Sequence, residues 1–260
     1  GLSWAEFIEQ RIMKPVGMTS SFGSYNRAKA VANKIDAHAP VDGEAIAVPH
    51  DWNETANAAG GIMSNIKDMT TWAEFLLNGF TTKNGKKLVS DKNIQQLWSL
   101  QIPDRVAMKN PYDTSFYGYG LGWFLSNVNG KFQATHTGGL SGIVTQVTIL
   151  PELKLGIIVL TNQQSGAAFN SITNSIKDGY LGIKGMDRIK TYNDNRLKNE
   201  KQADEILAKV WADIAAAQKA NTVKPDAKNF YATYKDAWFG DVTISEQNGK
   251  MHFQAKNSPK

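Results

Sequence analysis

The 260 residues hold 42% hydrophobic and 20% charged side chains, which is the balance of a globular chain and excludes disordered, collagen-like and coiled-coil classes. The chain has no cysteine, so disulfides, thiolate nucleophiles and sulfur-ligated zinc sites are excluded. No basic cluster interleaved with aromatic residues accompanies the net charge of +5, and we expect no nucleic-acid partner. No apolar run approaches the roughly 18–20 residues of a membrane span, and we expect neither a transmembrane segment nor a signal peptide.

The first part of the chain predicts a helix and then an irregular stretch. Ser3 and Glu6 form a capping box, in which each side chain accepts a hydrogen bond from the other's backbone N–H. The helix that follows should end at Pro15 and Gly17. Residues 22–57 show no regular period, which predicts a long excursion with little regular structure, of the kind that often borders an active site.

Two more helices and a series of strands follow. Ser64 is predicted to cap the second helix, which ends at Asn78-Gly79, and Asp91 opens the third. Beyond Pro111 the hydrophobic period changes from about 3.6 to 2, which predicts consecutive antiparallel strands. The predicted strands are 119–126, 131–137, 143–150 and 155–161, with turns at Asn129-Gly130, Gly138-Gly139 and Pro151-Glu152.

The last predicted strand is continuously apolar, so we expect both its faces to be covered, and residues 167–180 predict a helix across the sheet. Residues 187–220 predict a long charged helix. Three short strands follow at 230–234, 238–246 and 250–255, with a turn at Asn248-Gly249.

These elements predict an α+β fold with three parts. An antiparallel sheet flanked by helices occupies residues 1–183, a helical connector occupies 184–225, and a truncated β module occupies 226–260. Three strands with an exposed edge are poorly stable by themselves, so a partner chain at an open sheet edge is one possibility.

Four phrases in the chain carry a family resemblance. They lie at 9–20, which contains Lys-Pro-Val-Gly-Met-Thr-Ser, at 59–69, which begins Ala-Gly-Gly-Ile-Met-Ser, at 117–123 (Tyr-Gly-Tyr-Gly-Leu-Gly-Trp) and at 136–139 (His-Thr-Gly-Gly). In this order they resemble the serine β-lactamase-like hydrolases, which include class C β-lactamases, D-alanyl-D-alanine carboxypeptidases, D-aminopeptidases and family-VIII esterases. The resemblance implies that residues 1–183 are the C-terminal portion of a β-lactamase/transpeptidase-like fold, and that the later helix and strands are a family extension.

The resemblance also implies acyl transfer at a site that the His-Thr-Gly strand lines. In the family a serine attacks the acyl carbonyl, a lysine one helical turn away accepts its proton, and a tyrosine assists. The Gly139 N–H would then be the oxyanion donor and Thr137 would orient the substrate, beside Gly138. His136 stands where penicillin-recognising members carry lysine. An imidazole is only fractionally charged at neutral pH, which favours a peptidase or esterase over an efficient β-lactamase.

Gly60 and Gly61 have two readings that stay open. They would let the backbone approach a substrate, or they would permit a tight entry into the following helix.

The family's nucleophile motifs, Ser-x-x-Lys and Tyr-x-Asn, precede the first phrase, and this chain begins after both. We therefore expect the segment alone to be inactive. Ser64 and Lys67 fit Ser-x-x-Lys, and Ser24 with Asn26 fits Ser-x-Asn, but their order is inverted relative to the family. We interpret Ser64 as a helix cap and the segment at Ser24 as ordinary loop.

The predicted function is that of a segment of a serine acyl hydrolase acting on a small-molecule or peptide substrate through an acyl-enzyme. The alternative is a non-catalytic sensor of cell-wall fragments or penicillins with the same fold. No cofactor is implied, and His38, His50 and His252 share no metal-ligand spacing, so no metal site is predicted. A periplasmic or extracellular location is implied only by the resemblance.

Overall fold

The computed structural model describes residues 1–49, 53–108, 110–220 and 226–256. Contacts divide the chain into two units, residues 1–197 and 198–260. The three-part division predicted from the sequence stays a prediction. In the described part of the chain, no helix has the length and apolar content that crossing a membrane requires.

The first helix begins at the predicted capping box and ends at Gly17. The Ser3 hydroxyl accepts the Glu6 N–H at 3.3 Å, and the Glu6 carboxylate accepts the Ser3 N–H at 2.9 Å, which confirms the box. The helix comprises α1 (Trp4–Ile8), a π-helical turn (Glu9–Met13) and α2 (Lys14–Val16). Pro15 lies inside the last turn, so the prediction that it helps to end the helix is wrong. The π-helical turn before Pro15 already interrupts the regular α-helical hydrogen bonding, so a proline is tolerated after it. Gly17, with φ of +96°, ends the helix.

The remaining helices are the four that were predicted, in the predicted order, preceded by one short helix that was not predicted; one cap is corrected. They are α3 (Asn57–Gly60), α4 (Ile66–Leu77), α5 (Asp91–Leu97), α6 (Gly166–Leu181) and α7 (Arg188–Ala220). Asn65 caps α4, because its side chain accepts the Asp68 N–H at 3.0 Å. The prediction of Ser64 as the cap is therefore wrong by one residue; its hydroxyl instead lies 2.8 Å from the hydroxyl of Ser21.

The predicted irregular stretch contains a β-hairpin. Strands β1 (Ala37–Val41) and β2 (Glu44–Val48) pair antiparallel. Asp42 and Gly43 connect them, both with positive φ, which is the geometry of a type I′ turn. The Asp-Gly pair was the sequence signal for this hairpin, and the expectation of little regular structure is wrong there.

A six-stranded antiparallel sheet forms the centre of the first unit. Its strands are β3 (Ile102–Asp104), β4 (Tyr117–Tyr119), β5 (Phe124–Val128), β6 (Lys131–Leu140), β7 (Ile143–Leu150) and β8 (Leu155–Leu160). Each strand pairs with the next in sequence, in the order β3-β4-β5-β6-β7-β8. The predicted consecutive antiparallel arrangement is confirmed.

Two details of the predicted strands are wrong. The single strand predicted over 119–126 is two strands, β4 and β5, separated by a turn in which the Gly120 N–H bonds the Trp123 carbonyl at 2.8 Å. The predicted turn at Gly138-Gly139 lies inside β6, opposite β7, and the turn is instead at Ser141-Gly142.

Helices cover both faces of the sheet at β7 and β8, as the continuous apolar sequence predicts. On one face α4 contributes Ala73 and Leu76 to a buried cluster that includes Ile149 of β7. On the other face Phe169 of α6 joins a second cluster with Ile157 of β8. The sheet therefore has a dry core on both sides at this edge.

Buried polar contacts join α6 to the sheet and to the start of α7. Arg188 donates from two nitrogens to the two carboxylate oxygens of Asp178, at 2.6 and 2.9 Å. The Lys177 Nζ donates to the Gln133 Oε1 at 2.9 Å and lies 4.0 Å from the ring centroid of Tyr112. Since a buried charge is costly unless it is paired, these contacts hold α6 in one position on the sheet.

The second unit contains the three predicted C-terminal strands, β9 (Ala232–Asp236), β10 (Gly240–Gln247) and β11 (Lys250–Ala255). They form an antiparallel sheet in the order β11-β10-β9. Asn248 and Gly249 make the predicted turn between the last two strands. The pairing places Tyr234, Val242 and Ala255 side by side, so one face of this sheet is apolar.

Candidate active site

One strand, β6, carries four of the predicted site residues in an extended segment. His136, Thr137, Gly138 and Gly139 lie opposite residues 147, 146, 145 and 144 of β7 respectively. Thr137, Gly138 and Gly139 are exposed. The segment is therefore an accessible length of strand, and not the turn that its glycines suggested.

The backbone of Gly139 points away from β7. The carbonyl of its partner Val144 points away from β6 and accepts the Thr161 N–H at 3.2 Å. Opposite residues of an antiparallel pair either both exchange hydrogen bonds or neither does, so Gly139 directs its N–H and C=O outward. Thr137, two residues earlier, points the same way. Because β5 pairs with β6 only along residues 131–135, no described strand occupies that side at Gly139.

This open side can hold an extended acyl chain. A Cβ added at Gly139 would meet no atom within 4 Å, so the face of the strand is open at this residue as well. An outward N–H of this kind is a donor that a carbonyl oxygen can accept, and a strand edge can pair with a peptide backbone. The arrangement suits carbonyl binding and polarisation.

His136 lies at the start of this segment with both ring nitrogens engaged. Its Nε2 is 2.9 Å from the Tyr119 hydroxyl, and its Nδ1 is 2.6 Å from the Thr137 carbonyl oxygen. The Phe124 ring stacks on the imidazole, with centroids 5.6 Å apart and planes inclined by 30°. Tyr117 stacks in turn on Phe124. An aromatic cluster thus fixes the plane of His136.

Tyr119 contacts the candidate site through His136, although reasoning from the sequence did not single it out. It belongs to the glycine-aromatic phrase at 117–123, and the glycines on either side hold its strand against its neighbours. A Cβ at Gly118 would lie 2.4 Å from the Ile102 carbonyl oxygen, and one at Gly120 would lie 2.6 Å from the Leu97 carbonyl oxygen. These close approaches fix β4, and through it the Tyr119 hydroxyl, beside His136.

Gly60 and Gly61 lie at the end of α3, which packs against β6. Gly60 is exposed, whereas Gly61 is buried. A Cβ at Gly61 would lie 2.3 Å from the Asn57 Oδ1, so the absence of a side chain there has a local packing reason. Their predicted contact with substrate stays a prediction.

The β1–β2 hairpin lies beside the far end of the open segment. The His38 N–H donates to the Gly142 carbonyl at 3.0 Å, and the His38 carbonyl accepts the Gln164 N–H at 3.0 Å. A Cβ at Gly142 would lie 2.7 Å from the Val48 Cγ2. The stretch that the sequence predicted to border the active site therefore contacts the turn after β6.

The serines of the two segments that fit Ser-x-x-Lys and Ser-x-Asn both make hydrogen bonds to nearby residues. The Ser64 hydroxyl meets that of Ser21, which donates to Asp68 at 2.7 Å. Ser24 is buried, and its hydroxyl accepts the Arg27 N–H at 3.3 Å, as in a local turn.

Within the described ranges, no three histidine or acidic side chains are grouped to hold a metal ion. The His38 Nδ1 bonds the Asn162 carbonyl at 2.9 Å, and His252 is exposed on β11. His50 lies outside the described residues.

In comparisons with known proteins, residues 1–178 match the family model described as Beta-lactamase. An unguisins hydrolase of Aspergillus campestris is 25% identical over 198 residues, covering 73% of this chain and 35% of that protein. The octameric penicillin-binding protein homologue from Pyrococcus abyssi has a TM-score of 0.60 at 18% identity, covering 98% of this chain and 49% of that chain.

A penicillin-binding protein from Bacillus halodurans has a TM-score of 0.50 at 16% identity, covering 68% of this chain and 49% of that chain. The chain thus spans between about a third and a half of the length of these relatives.

Proposed function

Because the chain belongs to the β-lactamase family, we propose that it forms part of a serine acyl hydrolase that works through an acyl-enzyme. The predicted fold, an antiparallel sheet flanked by helices as in β-lactamases and transpeptidases, is confirmed. The observation that carries the proposal is the open side of β6, where the Gly139 N–H points away from β7 and no described strand pairs with it. The substrate is a small molecule or peptide with an amide, ester or lactam carbonyl.

Each predicted residue has one task in this proposal. The Gly139 N–H binds the oxyanion that forms when a nucleophile adds to the carbonyl, and Thr137 orients the acyl chain along the strand. Gly138, between Thr137 and Gly139, adds no side chain to this part of the strand. Gly60 and Gly61 carry the α3 backbone past the substrate. The family resemblance implies no cofactor for this reaction.

The nucleophile of the proposed enzyme lies outside residues 1–260. Within them, the Ser64 hydroxyl is committed to a hydrogen bond with Ser21, and Asn65 occupies the cap position. We place the Ser-x-x-Lys motif in a polypeptide segment other than residues 1–260, since this chain spans only about a third to a half of the length of its relatives. The chain alone is then inactive, and a periplasmic or extracellular location belongs to the same proposal.

The outer edge of β8 is the proposed contact with that segment. β8 ends the strand order, and among the described residues no strand pairs with its outer edge. A cavity of about 390 Å³ beside it is lined from α4, β8 and α6, with Ile66 and Ile176 exposed. A strand with aliphatic side chains on both faces would pair there and bury these residues. Leu160→Lys, at the end of β8, should weaken that association.

The first experiment exposes the purified chain to a fluorophosphonate probe and measures its intact mass, with Ser64→Ala alongside. We expect no adduct, since the nucleophile is elsewhere. An adduct that Ser64→Ala abolishes would contradict this assignment and make Ser64 and Lys67 a working pair. Esterase turnover should appear only when a polypeptide bearing the Ser-x-x-Lys part is added. If binding is restored without turnover, the protein is a sensor.

The second experiment tests Gly139 with a matched pair of variants. Gly139→Pro removes the outward N–H without removing a β6–β7 hydrogen bond, whereas Gly139→Ala keeps the N–H and adds a methyl group that meets no atom within 4 Å. In the reconstituted enzyme, the proline variant should lose about 10²–10³ in kcat, as for other lost oxyanion donors. The alanine variant should keep most of the activity. Equal losses in both would contradict the donor role.

A further inference from the structure

The hydrogen bonds of His136 determine which ring nitrogen carries the proton. A carbonyl oxygen only accepts, so the Nδ1, 2.6 Å from the Thr137 carbonyl, must be the protonated nitrogen. In the neutral ring the Nε2 then has a free lone pair, and the Tyr119 hydroxyl, 2.9 Å away, donates to it. The Thr137 carbonyl alone determines this tautomer; a phenol hydroxyl can donate or accept, but it is a better donor than acceptor and so adds to the same preference.

The packing around the ring preserves this arrangement. Phe124 stacks on His136. Phe124 also contacts Tyr119 edge-on, with the centroids of the Phe124 and Tyr119 rings 4.8 Å apart. Tyr119 and Phe124 are direct partners across β4 and β5. Rotation of the imidazole away from Tyr119 would therefore cost its stacking as well as a hydrogen bond.

The arrangement leaves His136 without an N–H for a substrate. Its one N–H is used by Thr137, and its lone pair is used by Tyr119. A carboxylate needs a donor, and none is available from this ring in its neutral form. An uncharged amide or ester group does not require a cation at that point.

We propose that Tyr119 is the positioning residue for His136, and that the pair makes this end of β6 select an uncharged acyl group over one that carries a carboxylate. The selectivity rests on the proposed function, because it assumes that the acyl chain lies along the open side of β6. The positioning role does not depend on any activity.

The positioning role is tested by long-range ¹H–¹⁵N correlation spectra of the chain, recorded above neutral pH. We expect His136 to show a protonated Nδ1 and an unprotonated Nε2. Tyr119→Phe keeps the ring and removes a hydrogen bond that is stronger in the Nδ1-protonated tautomer. The difference is at most a whole bond, typically about 1 kcal/mol, so the ratio of the two tautomers should fall by up to about five-fold. Tyr117→Phe removes a nearby hydroxyl that makes no bond to His136 and should leave the ratio unchanged. A wild-type ring protonated on Nε2, or an unchanged ratio in Tyr119→Phe, would overturn the role.

The selectivity is tested by titrating the chain with N-acetylalanine methylamide and with N-acetylalanine, and following the Gly139 amide resonance. The methylamide should move this resonance at a several-fold lower concentration, and His136→Lys should reverse the preference by supplying a cation. Tighter binding of the carboxylate to the wild-type chain would refute the selectivity. If neither compound moves the Gly139 resonance, both the selectivity and the proposed binding of substrate at this edge are wrong. The positioning role of Tyr119 is decided separately, by the tautomer spectra.

Discussion

Lys177 makes the stability of this protein depend on pH in the alkaline range. The side chain is 5% exposed, with its Nζ between Gln133 and the face of the Tyr112 ring. Burial lowers the pKa of Lys177 from its ordinary value near 10.5 to about 8; the nearby Asp178 opposes this change and Arg188 adds to it. The perturbation we consider is Lys177→Met, which keeps an unbranched apolar side chain of similar length and removes the titrating group.

The magnitude follows from the difference between the two pKa values. Between pH 8 and 10.5 the unfolded chain keeps a proton on Lys177 that the folded chain has lost, so unfolding takes up a proton and stability rises with pH. Below pH 8 both states are charged, and the folded state carries the full cost of a buried ammonium. At 1.36 kcal/mol for each pKa unit, the whole change is about 3 kcal/mol, of which about 2 kcal/mol falls between pH 7.5 and 10.

Urea unfolding of the wild-type chain and of Lys177→Met at pH 7.5 and pH 10 tests this reasoning. Other lysines and tyrosines titrate in both proteins, so the difference between them isolates Lys177. The wild-type chain should gain about 2 kcal/mol relative to the variant between these pH values. Lys190→Met, at an exposed position of α7, should show almost no such change. A difference that is constant with pH, or that moves the other way, would refute the argument.

Three substitutions elsewhere have expected effects on the free energy of unfolding, each measurable by urea titration. Asn65→Ala should cost about 1 kcal/mol as the loss of a helix cap, and more than Ser64→Ala; the reverse order would restore Ser64 as the cap. Gly156→Ala should cost about 1–3 kcal/mol, because its Cβ would lie 2.9 Å from that of Ala73. Gly179→Ala, in α6 with open space around it, should instead stabilise by about 0.5–1 kcal/mol.

The strands could be predicted where the hydrophobic period alone determines them. β7 and β8 have strand sequences and a proline turn between them, and both were found within a residue. The errors occur where local preference and pairing disagree. Gly138-Gly139 is typical of a turn, but β7 supplies partners that keep this pair extended. Conversely, the Asp-Gly turn of the β1–β2 hairpin was visible, but the strands beside it have no clear apolar face.

The site could be predicted only as far as its residues are neighbours in sequence. His136, Thr137 and Gly139 share one strand, so a motif is enough to group them. Tyr119 reaches His136 because β4, β5 and β6 lie side by side, and no spacing rule gives a hydroxyl-to-imidazole distance. The outward direction of the Gly139 N–H likewise depends on the register with β7, which a shift of one residue would reverse.

The order of the strands in the main sheet bears on how the chain folds. From β3 to β8 every ladder joins neighbours in sequence, and only Ser141 and Gly142 separate β6 from β7. The entropy cost of closing a loop grows with its length, and folding is fast when contacts are local. Adjacent hairpins can therefore form one after another without waiting for a distant segment. The packing of α4 on β8 joins parts far apart in the chain, so it carries a larger loop-closure entropy cost than the hairpins do.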